Sequence, residues 1–174
     1  MDLQLRPLIR ADRDAALAVH DQLANEDFAF LLHWRAQMDW DSYVEALATY
    51  REGTELPDGV VRSAFLVAHF GSELVGRISI RFELNDYLSI RGGHIGYAVA
   101  PGSRGRGVAT EMLRQGLLIA RSEGVGPVLM ICGDDNVPSA KVIEKCGGVL
   151  EAVVHDPDAV AGESKSRIRR YWIH

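Results

Sequence analysis

A strand, a glycine-rich turn and a bare helix start follow one another between Gly96 and Thr110. The apolar, β-prone run Tyr97-Ala98-Val99-Ala100 stops at Pro101-Gly102, passes through Arg104-Gly105-Arg106-Gly107, and opens into an amphipathic segment. The first N–H groups of a helix have no partner within it, and its dipole favours negative charge there, so this turn reads as a phosphate site. The two glycines remove side chains that would hold an anion away from the backbone. A solvated loop with ordinary capping is the plainer alternative, and the flanking strand and helix argue against it.

With 174 residues the chain can bury a full core without disulfides or metals, and it reads as one domain over 1–174. A net charge of −5 argues against broad nucleic-acid binding. The start, Met1-Asp2-Leu3-Gln4-Leu5-Arg6-Pro7, lacks the uninterrupted apolar core of a secretory signal. No run approaches the roughly 20 apolar residues that cross a bilayer, so a cytoplasmic protein with no membrane partner is expected. Cys132 and Cys146 are expected as reduced thiols, and the histidines show no metal-ligand spacing.

Leu3, Leu5 and Pro7 read as an opening strand, followed by a helix capped at Asp12 or Asp14 and reaching about Leu23. From Asn25 to Tyr50 the chain is rich in large aromatics, which suits two short helices or a helix and a loop, the second helix starting at Asp41 or Ser42. Gly53 to Gly59 is a loop by composition. Ser63 to Phe70 and Glu73 to Phe82, separated by Gly71-Ser72, read as a hairpin. Asn85 to Gly93 reads as a polar connection and His94 to Ala100 as a further strand.

Ala109, Met112, Leu113, Gly116, Leu117 and Ala120 fall at offsets 0, 3, 4, 7, 8 and 11, one face of a helix from Gly107 to Ser122. Val128 to Cys132 is apolar throughout, as a central strand is. Asn136 caps a second short helix to Lys145, stopped by Gly147-Gly148, and Val149 to Val154 and Ile168 to Ile173 close the chain as strands. The order describes an α+β domain with a central mixed, mostly antiparallel sheet flanked by helices. The anion turn follows its fourth strand.

Three ligand classes use a strand, a glycine turn and a helix. A nucleoside triphosphatase loop needs Lys and then Ser or Thr after its last glycine, where this chain has Val108-Ala109. A dinucleotide fold places its glycines after the first strand of a parallel unit, whereas this turn is mid-chain, behind strands expected to be antiparallel. The third class is the pyrophosphate of coenzyme A. Arg104-Gly105-x-Gly107-x-Ala109 after an apolar strand resembles the signature of the GNAT superfamily of acyl-CoA-dependent N-acyltransferases. Leu5-Arg6-Pro7-Leu8 with Asp12 is similar to the family's first strand and helix start. Leu74 to Ile78 resembles its third strand, and Asn136 to Gly148 the helix beside the pantetheine arm.

The resemblance implies a GNAT-like acyl-CoA-binding fold, in which a β-bulge splays the fourth strand from the fifth and opens a slot for the cosubstrate acetyl-CoA. It implies a thioester beside Tyr97, Ala98 and Val99, whose N–H groups bind pantetheine and polarise the acyl carbonyl as an attacking amine builds charge on it. Amides of Arg104, Gly105, Arg106, Gly107, Val108 and Ala109, with both arginine side chains, would carry the pyrophosphate. Thr110 would add a hydroxyl, and Asn136 and Ser139 would lie along the pantetheine. Acetyl transfer to a primary amine by direct attack is the implied reaction.

Many members protonate the leaving thiolate from a tyrosine of the late helix, and Ile143 stands at that position. Ser139, Cys146, Tyr97 or water remain as donors, and a catalytically weak or inactive acyl-CoA sensor or partner module stays open as the alternative. His94 and Glu83 are the candidate bases. Cys146 has no histidine beside it in sequence and reads as structural rather than as a covalent nucleophile. The aromatic segment matches one wall of the family's acceptor cleft, which makes Phe28, Phe30, Trp34 and Trp40 candidate substrate residues, with packing on the sheet as the alternative. Glu26, Asp27, Asp39 and Asp41 lie among them and would suit a cationic amine. The acceptor is expected to be a small amine or a peptide, and homodimerisation through the terminal strands is compatible with the pattern.

Overall fold

Strand β1 (Leu3–Pro7) opens a four-stranded sheet in a computed structural model that describes residues 2–26, 28–159 and 167–174. Its order is β1, β2 (Ser63–Phe70), β3 (Glu73–Arg81), β4 (Ile95–Val99), with every pairing antiparallel. A second antiparallel sheet holds β5 (Val128–Gly133), β6 (Val149–His155) and β7 (Arg167–Ile173), with β7 in the middle. The α+β class stands, and the expected single mixed sheet is two sheets that meet along β4 and β5.

That meeting is confined to the starts of the two strands. Gly93 bridges Met130, and the His94 N–H donates to the Leu129 carbonyl at 2.8 Å. The expected bulge is absent from the β3–β4 ladder, which runs in register from Gly76–Val99 to Ile80–Ile95. The slot opens instead because β4 and β5 stop touching after their first residues. The wholly apolar run of β5 is explained by this seam: it is the edge of its own sheet, yet Val128, Leu129 and Met130 are buried.

Five α-helices lie among the described residues: α1 (Arg13–Ala24), α2 (Trp40–Glu52), α3 (Asp86–Ile90), α4 (Val108–Ser122) and α5 (Val137–Lys145). The alternation of β2 sorts two cores onto opposite faces. Ala64, Leu66 and Ala68 pack with Met112, Leu113 and Leu117 of α4, while Phe65 and Val67 pack with Leu23 of α1 and Tyr43 and Leu47 of α2. Met112, Leu113, Gly116, Leu117 and Ala120 of the face read from periodicity are buried, while Ala109 at its start is half-buried. At Gly116 a Cβ would stand 2.5 Å from Ile78 Cδ1, so the missing side chain lets α4 settle closely on β3.

Three local expectations are corrected. Of the two readings of 25–50 the helix and a loop stands among the described residues, but α2 starts at Trp40 because Asp39, not Asp41 or Ser42, accepts the Ser42 N–H at 2.9 Å. The polar connection 85–93 winds into α3, capped by Asn85 accepting from Leu88 N–H at 2.9 Å. Asp12 stands before α1 without capping it: its carboxylate takes two bonds of 2.7 Å from Arg6 and one of 2.9 Å from the Ile9 N–H. No described helix is long and apolar enough to cross a membrane.

Candidate active site

Where β4 and β5 part, a cleft of about 770 Å³ opens between the glycine turn, the first turn of α4, the start of α5 and the end of α1. Ala98, Val99, Arg104, Gly105, Gly107, Val108, Ala109, Thr110, Asn136 and Ser139 all line it. Arg106 is exposed and outside its walls, so of the expected pair of arginines only Arg104 lines the cleft.

The cleft is rich in free backbone donors. Gly107 takes φ +80°, a left-handed conformation that favours glycine, and no side chain caps α4 behind it. The first helical bond runs from Glu111 N–H to Gly107 O at 3.1 Å, leaving the N–H groups of Val108, Ala109 and Thr110 without a helical partner. On β4, the bonds Ala100 N–H to Val75 O (2.9 Å) and Arg81 N–H to His94 O (2.7 Å) set the parity of the ladder. Ala98 therefore exchanges its bonds with Arg77, and only Tyr97 and Val99 direct N–H groups away from β3. Two β4 amides, not three, are free to serve a ligand.

Side chains cross the cleft at two places. The Arg104 guanidinium donates to both Glu26 oxygens, at 2.8 and 3.1 Å, and holds that carboxyl below its ordinary range. Arg104 is thus engaged with Glu26 rather than standing free for an anion. Deeper in, the Tyr97 hydroxyl lies 2.8 Å from Ser139 Oγ, joining β4 to α5. Burial pushes the phenol up to about 12, so it is protonated at neutral pH. Ile143, one turn beyond Ser139, points into the core at 1% exposure and offers the cleft nothing polar. The Cys146 thiol is pushed up by burial and faces the Thr110 carbonyl at 3.7 Å.

The sequence matches the family model for the acetyltransferase (GNAT) domain over residues 2–149. The chain belongs to the GNAT family. Among solved structures this GNAT chain is similar to RimJ from Mycobacterium smegmatis in complex with CoA-disulfide, at 23% identity over 98% of this chain and 81% of that one, with a TM-score of 0.69. It is also similar to the microcin C7 self-immunity acetyltransferase MccE in complex with acetyl-CoA and AMP, at 17% identity over 98% and 91% of the two chains, TM-score 0.69. Mutant forms of the spermidine/spermine N-acetyltransferase SpeG from Vibrio cholerae match at 18% identity over 99% and 94%, TM-score 0.64. At these identities the likeness is one of fold. No curated protein matches the sequence.

Other expected GNAT site residues lie elsewhere. His94 sits in the β4–β5 seam, where the Leu129 N–H donates to its Nδ1 at 2.9 Å and burial lowers its pKa. With that lone pair engaged, and on neither cavity wall, His94 is a strut rather than a base. Glu83 is exposed beyond the end of β3, accepting from the Arg62 N–H at 3.4 Å. Phe30 is fully buried, and Trp34 packs edge-on against Trp40 at 5.4 Å and Tyr43 at 5.1 Å. Of the four aromatic candidates only Phe28 lines the cleft, with Arg77 5.3 Å from its ring centre. Asp39 caps α2, Asp41 pairs with Arg10 at 3.3 Å, and Asp27 lies outside the described residues.

The sequence reading missed a second cavity, of about 230 Å³, on the α2 face of the GNAT sheet. His33 and Tyr50 line it from the helical layer, Ser79 and Arg81 from β3, and Tyr87 from α3. His33 takes φ +62°, a strained conformation for a residue with a side chain, and burial, with repulsion from Arg81 and Arg35, lowers its pKa. The signal was present in Arg77-Ile78-Ser79-Ile80-Arg81. Ile78 and Ile80 join the α4-side core, so the Arg-Ser-Arg row must take the opposite face. A sheet face of that composition reads as solvated, and here helices and loops cover it.

Proposed function

We propose that this protein transfers an acetyl group from acetyl-CoA to a primary amine by direct attack of the amine on the thioester. The observation that carries the reading is the cleft's set of free donors: three amides at the start of α4, and the Tyr97 and Val99 amides on the open edge of β4. Amides at a helix start suit a pyrophosphate, and an open strand edge suits the amide-bearing pantetheine arm. Acetyl-CoA brings the activated acyl group as a thioester. A β4 amide aimed at the acyl oxygen stabilises the charge that builds there, and it needs no reorganisation to do so. As the C–N bond forms the C–S bond breaks; the Tyr97–Ser139 hydroxyl pair hydrogen-bonds and protonates the departing thiolate, where Ile143 offers nothing polar, and the proton shed by the new amide nitrogen goes to water and restores the pair. A protonated, half-buried Cys146 facing a backbone carbonyl favours direct transfer over an acyl-enzyme.

Calorimetric titration of acetyl-CoA, with ATP and NAD as controls, tests the reading on the wild type and on Gly107→Glu. The added carboxylate opposes the pyrophosphate, and binding is expected to fall at least about hundredfold. Gly107→Ala brings the same backbone strain and a side chain without the charge, and is expected to lose much less affinity than Gly107→Glu. Absence of acetyl-CoA binding to the folded wild type would overturn the proposal.

A further inference from the structure

β3 carries two arginines on the face covered by the α1–α2 layer, and neither forms an ion pair among the described residues. Arg77, at 3% exposure, is saturated by the fold: Nε donates to Phe30 O at 3.1 Å, Nη1 to Gly96 O at 3.2 Å, and Nη2 to Ala29 O at 3.3 Å. Arg81 is not. Its Nη1 donates to Gly93 O at 3.0 Å and, weakly, to Gly92 O at 3.5 Å. Nε and Nη2 have no partner among the described residues, are not sealed from solvent, and belong to a side chain that lines the 230 Å³ cavity.

A half-buried guanidinium without a counter-ion is an expensive arrangement. Nothing on the cavity wall repays it. Burial draws the Arg81 pKa down from its ordinary value, but arginine remains charged at neutral pH. No Asp or Glu lines the cavity among the described residues, and the other titratable groups there are His33, Tyr50 and Tyr87. Asp158, which the Tyr87 hydroxyl meets at 3.0 Å, is already paired with Arg91 at 3.0 Å. The two unpartnered nitrogens, Nε and Nη2, form one edge of the guanidinium fork, the edge that takes both oxygens of a carboxylate in parallel.

The cavity also adjoins the edge of β4. Gly96 pairs with Ser79, and a Cβ on it would stand 3.4 Å from Ser79 Oγ, 3.7 Å from Arg77 Nη1 and 4.0 Å from Arg81 Nη1. The residue facing the arginines is thus the immediate neighbour of Tyr97, whose amide opens on the cleft.

We infer that this cavity is the acceptor site and that the acceptor is a small amine bearing a carboxylate, which Arg81 binds as its missing counter-ion. The amine end of this assignment rests on the acetyl-transfer reading; the carboxylate end rests on Arg81 and the cavity alone. A volume of about 230 Å³ suits a molecule of amino-acid size. A polycationic amine would meet Arg81 and Arg77 with like charge and no acid to hold it.

The test is a panel of the standard L-amino acids, the amines obtained by decarboxylating them, and spermidine. Each is titrated calorimetrically into CoA-saturated protein and assayed for thiol release from acetyl-CoA. At least one amino acid is expected to bind about tenfold or more tighter than its decarboxylated partner, and Arg81→Gln to erase that preference by weakening the amino acid. Arg81→Lys is expected not to restore it, since a point charge lacks the fork. Leu88→Glu, which brings a carboxylate to the cavity without touching Arg81, guards against misfolding of the first variant and is expected to shift preference toward the bare amines. Spermidine or decarboxylated amines outperforming the amino acids, carboxylates binding Arg81→Gln as well as wild type, or no carboxylate binding at millimolar concentration would overturn the inference. Carboxylates that bind through Arg81 without thiol release would keep the site and remove acetyl transfer. Thiol release that is indifferent to Arg81 would do the reverse.

Discussion

The cleft between β4 and β5 and the cavity under α2 are built from opposite materials. The cleft offers backbone: unpaired amides on a strand edge and at a helix start, all within one contiguous stretch of chain. The cavity offers side chains gathered from α2, α3, β2, β3 and the loops between them. A backbone site demands glycine at fixed places, because only there can a ligand come close or φ turn positive. A side-chain site demands only that tertiary packing bring certain groups together, and packing has no short-range signature. A site of the first kind suits a ligand part shared by many enzymes; one of the second kind suits a ligand that only some accept.

The contrast is steepest between Arg77 and Arg81, which share a face of β3. Arg77→Met strips donors from the carbonyls of Ala29, Phe30 and Gly96 and leaves buried acceptors unpaired, a loss expected at about 2–4 kcal/mol. Arg81→Met gives up one good bond, to Gly93 O, and also removes an unpaired, half-buried cation. Its stability is expected to stay within about 1 kcal/mol of wild type. Urea unfolding of both variants decides. Equal losses would make Arg81 part of the frame and dissolve the distinction between a binding arginine and a structural one.

Tyr97→Phe probes the other region. It removes the hydroxyl 2.8 Å from Ser139 Oγ without disturbing the β4 amides, so turnover is expected to fall about 10- to 100-fold while KM for acetyl-CoA moves little. Unchanged kcat would mean that water protonates the leaving sulfur, and the pair would count as packing alone.

These two regions also mark how far the sequence could be read. The strand-turn-helix at 96–110, the hairpin at 63–82 and the buried face of α4 are set by local periodicity and turn residues, and they stand where the sequence puts them. The order and spacing of several such pieces also carried the family. Which candidate faces a cavity was not legible. His94 looked like a base because it precedes the slot strand, but the Leu129 N–H occupies its Nδ1, a contact across the seam that no local pattern encodes. Trp34 and Trp40 looked like a substrate wall because aromatics serve both purposes, and they stack on each other instead. Arg81 was overlooked because an arginine at alternate spacing on a strand is ordinarily solvated.

Acid should weaken the whole fold through its histidines. His33, His69 and His94 all have pKa values depressed by burial, and His69 Nε2 has no hydrogen-bond partner among the described residues. The unfolded chain binds protons at these sites near pH ~6.5, whereas the folded chain binds them only at lower pH. Stability from these groups is therefore level above about 6.5 and declines as pH falls through their folded values. Asp12 adds a lower window. Burial pushes its carboxyl up, but Arg6 and the Ile9 N–H outweigh this and hold it down, so its contribution is lost only as pH falls below the ordinary carboxylate range. Thermal midpoints at fixed ionic strength should show both limbs, and His69→Leu should flatten the upper one. A midpoint that rises on mild acidification would mean that these histidines are charged in the folded protein.

The smallest effect expected lies where a side chain intrudes on the backbone site. Glu26 and Arg104 span the cleft between the end of α1 and the glycine turn, with side chains 46% and 47% exposed. A pair this open adds little to stability, so Glu26→Gln should leave the melting temperature almost unchanged. Binding should respond more than stability does. Freed from its carboxylate, Arg104 becomes available to an anion on the turn, and a negative charge leaves the wall. Acetyl-CoA is expected to bind about two- to fivefold tighter at low salt, with the gain shrinking as salt screens it. Weaker binding would mean that Glu26 orients Arg104 for the ligand rather than withholding it. In either case the change should be small beside that of Gly107→Glu, because on the proposed reading the side chains of this cleft adjust an affinity that the amides supply, whereas in the α2-side cavity a side chain would supply it.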